Sequence, residues 1–180
     1  MPTKRQPLSL KVRALQALAL REHSASELRR KLLRSPRWVA PQAFGEAAHP
    51  APADPTKAEA EVDALLRELQ AQGLLSTERF IESRVHARAA RFGNRRIQAE
   101  LAQHGLQLDA ASAQDLRATE LERARAVWAR RYAPASSAAP ATSAAAPQPA
   151  EVARQMRFLA ARGFSPDVIR KVVKSSPDED

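Results

Sequence analysis

The pattern Leu-x-x-x-Gly-(Leu/Phe) occurs three times in this chain, at Leu69–Leu74, Leu101–Leu106 and Leu159–Phe164. The spacing is that of a helix that ends by turning left-handed. Glycine occupies C′, where a Cβ would be strained, and the apolar residue at C″ folds back onto C3, five positions earlier. Three of the five glycines in 180 residues stand at such places. A chain that uses glycine in this way is built from short helices joined by tight turns. Its threefold recurrence points to a duplicated helical unit.

Composition narrows the class further. Aromatic residues are only 4% of the chain, strand-favouring residues are sparse, and Leu, Ala, Arg, Glu and Gln dominate, which predicts an all-α fold. The formal net charge is +9, so an acidic partner is expected, either nucleic acid or an acidic protein surface. The charge is uneven: residues 1–34 hold nine basic against two acidic side chains, whereas residues 35–75 are net acidic. There is no cysteine, which removes disulfide and thiolate chemistry. No apolar run resembles a signal peptide or a membrane span, so a cytoplasmic protein is expected.

Two proline-rich segments interrupt the helical pattern. Residues 35–56 hold five prolines and residues 133–150 hold four, together nine of the 13 in the chain. Proline lacks the N–H that a helix interior needs, so both are expected to be surface insertions, the first docking weakly through Trp38, Val39 and Phe44. The acidic tail from Pro177 to Asp180 is expected to be disordered.

What remains reads as about nine helices. The first spans roughly residues 8–21, with Leu8, Val12, Leu15 and Leu18 on its inner face. Ser24 and Glu27 form a capping box for a short second helix. Val62, Leu65, Leu66 and Leu69 recur at i, i+3, i+4, i+7, predicting a helix over 57–72. Phe80, Ile81, Val85, Ala89 and Phe92 face inward up to Gly93, Asn94 caps the next helix, and Asp109 caps a short one to Leu116. A longer helix over 118–132 presents Leu121, Ala124, Trp128 and Tyr132. Val152, Met156 and Leu159 mark another, and Ser165-Pro166 starts the last, filled by Val168, Ile169, Val172 and Val173. Grouped in threes, these make units over 8–75, 76–117 and 118–174, each too small to bury its apolar face without stacking on a neighbour. The three glycine caps do not form a strict repeat, because the first ends a third helix and the other two end middle helices.

Little in the chain suggests catalysis. His23, His49, His86 and His104 lack metal-ligand spacing and are expected to be solvent-facing or partly packed. No phosphate-cradling glycine loop or nucleophile motif occurs. Glu59, Glu61, Asp63 and Glu68 look like a solvated face and a helix N-terminus rather than a catalytic pair. We expect neither an enzyme nor a cofactor.

Basic clusters carry the candidate contacts. Arg29, Arg30, Lys31 and Arg34 line the short second helix. Arg84, Arg88 and Arg91 recur at i, i+4, i+7, and with Arg95 and Arg96 they surround the Gly93 turn. Arg157, Arg162, Arg170 and Lys171 mark the last unit. With so few aromatics outside the expected core, nucleic acid would be held through phosphate and not by base stacking, hence with little sequence preference and strong salt sensitivity.

Several phrases together resemble the RecX family, regulators of the RecA recombinase. They are Arg21-Glu22-His23-Ser24-Ala25-Ser26-Glu27-Leu28-Arg29-Arg30-Lys31-Leu32, then Gly73-Leu74-Leu75-Ser76 followed by Arg79-Phe80. Gly93-Asn94-Arg95-Arg96-Ile97 with Glu100-Leu101 comes next, and last Phe158-Leu159-Ala160-Ala161-Arg162-Gly163-Phe164-Ser165. They span nearly all of the chain outside the two insertions, which are where it departs from the family. The resemblance implies an elongated array of three tandem three-helix units. It also implies a protein that docks in the groove of the RecA filament on single-stranded DNA and restrains strand exchange and ATP hydrolysis; a monomer is expected. The family has no catalytic residues to carry over, so the contact set above rests on charge. Direct non-specific DNA contact is a further option. The competing reading is a basic helical DNA-binding protein that acts without RecA, and a weaker one is an adaptor for an acidic partner unrelated to DNA.

Overall fold

A computed structural model describes residues 9–34, 55–132 and 148–174. Among these the chain forms nine α-helices and no strand. They are α1 (Leu10–Leu20), α2 (Ala25–Arg34), α3 (Pro55–Ala71), α4 (Thr77–Ala89), α5 (Asn94–Ala102), α6 (Ala110–Ala118), α7 (Glu120–Tyr132), α8 (Pro149–Ala161) and α9 (Pro166–Lys174). The chain divides into two compact units between Phe80 and Ile81. Leu8, Trp38, Val39, Phe44, His49 and the acidic tail lie outside the described residues.

All three glycine signatures form left-handed caps, with φ of 67° at Gly73, 72° at Gly105 and 82° at Gly163. In each, the C″ N–H donates to the C3 carbonyl: Leu74 to Leu69 at 2.9 Å, Leu106 to Leu101 at 3.1 Å, Phe164 to Leu159 at 3.3 Å. The glycine N–H donates to the C2 carbonyl at 2.9 Å in all three, which satisfies carbonyls that a helix end otherwise leaves open. The apolar C″ side chains then diverge. Phe164 is buried, whereas Leu74 stays 43% exposed.

In the first unit α1, α2 and α3 share one core of Ala14, Ala17, Leu28, Leu32, Val62, Leu65, Leu66, Leu69 and Leu75. The predicted inner face of α1 is rotated. Ala14 and Ala17 are buried with Leu10 and Leu18 against them, while Val12 and Leu15 are more than a third exposed. Helix α1 is apolar on both sides, and the alanine stripe wins because small side chains let neighbouring helices approach closely. Ser9 caps α1 by accepting from the Val12 N–H at 3.3 Å. Ser24 does the same for the Glu27 N–H at 3.1 Å, as the capping-box spacing requires.

In the second unit α7, α8 and α9 enclose Ala124, Val127, Leu159, Phe164, Ile169, Val172 and Val173. Ile97, Leu101 and Leu116 are buried on α5 and α6. Of the residues expected inside α4 only Phe80, the last residue of the first unit, is buried. Asp109 caps α6, accepting from the Ser112 N–H at 2.9 Å and its hydroxyl at 2.6 Å. Helix α8 takes in Pro149 and Ala150 from the predicted insertion, with Pro at the helix start where its missing N–H costs nothing; α3 likewise begins at Pro55. Met156 is 37% exposed and Gln155 is buried in its place, because Gln155 Oε1 accepts from the Trp128 indole at 2.9 Å. Asn94 is the first helical residue of α5 and not its cap; Gly93 occupies that position.

Candidate functional site

The predicted basic residues divide by what their charges already touch. On α2, Arg29 reaches across to α3, with Nε 2.6 Å from Asp63 and Nη2 2.8 Å from Glu59. These carboxylates hold its guanidinium proton more tightly than usual, and Arg29 in turn holds the Asp63 carboxyl below its ordinary range. Lys11 of α1 pairs with Glu68 at 2.6 Å. The acidic stripe of α3, expected to be merely solvated, is therefore the complement of the basic helices beside it. Arg29 is a packing residue.

Arg30, Lys31 and Arg34 are different. All three are exposed, and none has a hydrogen-bond or ion-pair partner among the described residues. They line an open cleft of about 410 Å³ together with Arg21, His23 and Glu27. Positions 23, 27, 30, 31 and 34 fall on one side of the α2 axis, which is why a helix of ten residues can gather them. Arg21 is held to Glu27 at 2.5 Å.

His23 overturns its expected exposure: it is 1% exposed. Its Nδ1 faces Glu27 Oε2 at 3.3 Å, an ion-pair distance, and among the described residues neither ring nitrogen completes a hydrogen bond. Burial pushes its pKa below the ordinary histidine value, Arg21 adds to that, Glu27 opposes it, and Lys31 lowers it again. A sequence signal for this existed. His23 directly precedes the capping serine, the N′ position whose side chain usually packs back on N4, here the buried Leu28.

In the second unit a larger cleft, about 660 Å³, is lined by Arg84, Arg88, Arg95 and Arg96 together with Glu100, His104 and the Gly163 turn. Glu100 pairs with Arg88 at 2.9 Å and lies 3.6 Å from the Arg96 guanidinium, so part of the positive charge is neutralised inside the cleft. The Arg84–Arg88–Arg91 stripe breaks at its end. Helix α4 stops at Ala89, and the Arg91 guanidinium lies 5.8 Å from the Phe92 ring. Arg88 and Arg96 approach the same ring at 5.6 and 4.4 Å. Arg95 is exposed, with no side-chain partner among the described residues.

This cleft is held in shape by a pair of α7 residues that sequence reasoning passed over. Glu120 is 4% exposed. Its Oε1 accepts from the Asn94 N–H at 3.0 Å and the Ser165 N–H at 3.2 Å, and its Oε2 accepts from the Ser165 hydroxyl at 3.0 Å. One carboxylate thus serves the N-termini of both α5 and α9, where helix dipoles favour negative charge. One turn on, Arg123 donates to the carbonyls of Ala89 (3.2 Å), Phe92 (2.9 Å) and Leu116 (2.8 Å), and to Asn94 Oδ1 at 2.5 Å. It gathers the C-terminal ends of α4 and α6. Burial draws its pKa below the ordinary guanidinium value, against the pull of Glu120. Nothing local marks these two residues, because Glu in a first helical turn and Arg three places later are commonplace on exposed helices.

The remaining candidates lie on α8 and α9. Arg162 stacks on Phe158 at 4.6 Å and donates to the Arg91 carbonyl at 3.3 Å, a second bridge across the Gly163 turn. Arg170 pairs with Asp167. Lys171 is exposed but has an interaction within the fold. Arg157 is exposed without a partner among the described residues. Among the described residues no group of three His, Asp or Glu side chains is placed to hold a metal ion, and no helix is long and apolar enough to cross a membrane.

Comparison with known proteins places these features in context. A family model described as the RecX third three-helix domain matches residues 118–173, the stretch that holds α7, α8 and α9. The chain is 45% identical over 181 residues to the regulatory protein RecX of Leptothrix cholodnii, covering 99% of this chain and 96% of that one. It is 42% identical over 178 residues to the regulatory protein RecX of Ralstonia nicotianae, covering 98% and 93%. The regulatory protein RecX of Ralstonia pickettii is 41% identical over 181 residues, covering 99% and 94%.

Proposed function

We propose, since this chain belongs to the RecX family of regulatory proteins, that it binds the RecA filament on single-stranded DNA and restrains strand exchange and ATP hydrolysis. The observation that carries this reading is the identity of over 40% to proteins named regulatory protein RecX across almost the whole chain. It covers both compact units and every basic cluster described above.

The sorting of charges supports a regulator that works by contact. Arg30, Lys31 and Arg34 on α2, Arg95 on α5 and Arg157 on α8 present cations that the fold does not use, and these are the residues we assign to partner binding. We further propose that the helices group as three-helix units over 8–75, 76–117 and 118–174, that the protein acts as a monomer, and that it works in the cytoplasm where RecA filaments form. Repeated units can engage successive protomers of a filament at once, and several weak contacts then add into a firm hold.

The test is RecA ATP hydrolysis and strand exchange on single-stranded DNA, with the folded protein added below one copy per protomer. Inhibition of both is expected; no effect on either removes the proposal. The competing reading, a DNA-binding protein acting without RecA, draws on the unpartnered cations of α2. It requires that the same protein alter DNA transactions equally well when RecA is absent.

A further inference from the structure

We infer that the cleft walled by His23, Arg30, Lys31 and Arg34 is a phosphate-binding site that receives the backbone of a nucleic acid strand. The inference deepens the reading above, on which it rests only for the setting in which the strand is met. The cleft holds four cations and one carboxylate, and that carboxylate, Glu27, is already bound to Arg21. Arg30, Lys31 and Arg34 are left around one concavity with no acidic side chain of the described fold to answer them. The nearest acidic stripe, on α3, is taken up by Arg29 and Lys11.

A nucleic acid backbone answers this arrangement better than a single carboxylate does. One carboxylate would neutralise one cation of three. A backbone brings one negative charge per nucleotide in a row, and Arg30 and Arg34 stand one helical turn apart, about 6 Å along the axis, on the same side of α2. Guanidinium groups also fork onto phosphate oxygens with two parallel hydrogen bonds. Among the described residues no Phe, Tyr or Trp lines the cleft, and the buried His23 ring offers no open face for stacking, so the contact these residues supply is to phosphate.

His23 supplies the second, independent mark of a ligand. It is a fully buried imidazole that forms part of the cleft wall; among the described residues Nε2 has no partner, and Nδ1 faces only Glu27 Oε2 at 3.3 Å, short of a hydrogen bond. Unmet polar groups at such depth are uncommon in finished folds and call for an explanation. The charges that face it are Arg21 and Lys31, which oppose its protonation, and Glu27, which favours it. An anion seated on Arg30, Lys31 and Arg34 offsets the cations and shifts the ring toward imidazolium. Binding then takes up a proton and strengthens as pH falls through the histidine range. A phosphodiester does not titrate there, so the effect reports His23.

The experiment measures binding of an oligothymidylate lacking terminal phosphates by fluorescence anisotropy, without RecA, across salt and from pH 8 to pH 6. Arg30→Ala and Arg34→Ala, both at exposed positions, are each expected to weaken binding about tenfold and to reduce the salt slope by about 0.7, with the thermal midpoint unchanged. Wild-type affinity should rise several-fold toward pH 6, and His23→Gln should flatten that rise. Wild-type binding by both arginine variants would overturn the site, and a pH response that survives in folded His23→Gln would remove His23 from it. Two competitors distinguish the sources of anion. Displacement by micromolar inorganic phosphate would assign the cleft to a small phosphate ligand instead, and equal displacement by polyglutamate would assign it to an acidic protein. Because RecA is absent throughout, a negative result leaves the filament assay to stand or fall by itself.

Discussion

Gly93 and Gly163 meet backbone to backbone: a Cβ built on Gly93 would lie 2.3 Å from the Gly163 carbonyl oxygen, and one on Gly163 would lie 2.6 Å from Arg96 Cβ. The Gly93 N–H donates to the Arg162 carbonyl at 2.9 Å, and the Arg95 N–H to the Gly163 carbonyl at 3.1 Å. The turn before α5 and the turn before α9 are thereby fused.

The three capping glycines differ in a measurable way. Gly73 and Gly105 have open space around a prospective Cβ, so Gly105→Ala should cost only the left-handed backbone strain, about 1 kcal/mol. Gly163→Ala adds a clash with Arg96 backbone and should cost roughly 3 kcal/mol. Gly93→Ala, at an ordinary φ of −80°, should be comparably damaging for steric reasons alone. Urea unfolding midpoints give the ranking, and equal costs at Gly105 and Gly163 would contradict it.

Glu120→Gln keeps the shape of the side chain and removes its charge. The single amide oxygen can still accept from both backbone N–H groups while the amide NH2 turns the Ser165 hydroxyl into an acceptor, so the loss is that of the negative charge at two helix N-termini, at a cost of roughly 1–2 kcal/mol. Chemical denaturation measures this directly. A stability within experimental error of wild type would show that the staple contributes nothing.

Charge reversal on α2 should separate neighbouring residues. Arg29→Glu sets a third carboxylate against Asp63 and Glu59 and should lower the thermal midpoint, by less at high salt. Arg30→Glu meets the cations Lys31 and Arg34 in its cleft as well as Glu27, and should leave the midpoint nearly unchanged while weakening the partner contact assigned to that residue. Parallel melts of the two variants and pull-down on RecA filaments check both halves.

His23 predicts how stability follows pH. Its folded pKa lies below the unfolded value of about 6.5, so the unfolded chain binds the proton more readily. The full stability is present above about pH 6.5 and is lost progressively as pH falls from there through the folded pKa. Thermal midpoints from pH 8 to pH 5 should show this decline, and His23→Gln should reduce it. An unchanged slope in the variant would assign the decline to other groups.

Much of the helical layout was legible from local chemistry. Asp109 caps α6, Ser24 caps α2, Pro166 opens α9 and the three glycines close their helices, because each of these signals acts within one turn of chain. Faces were harder to read. Helix α1 carries Leu, Val and Ala on several sides, so periodicity alone favours Val12 and Leu15, and the packed structure buries Ala14 and Ala17. Met156 and Gln155 exchange roles for a reason outside their own helix, the indole N–H of Trp128. The basic clusters were visible as sequence, but their division into used and unused cations was not, since Arg29 and Arg30 look alike until α3 is brought alongside.

The amino-acid sequence by itself determined where most of the helices begin and end, to within a few residues, the absence of thiol chemistry and the excess of positive charge, because these depend on neighbours a few residues away or on composition. Tertiary structure alone decided that Gly93 must be glycine, that Glu120 and Arg123 hold four helix ends, and that His23 is buried behind a basic cleft. Those properties arise between groups separated by tens of residues, from Glu120 to Ser165 or from Gly93 to Gly163, and they come into being only when the helices pack.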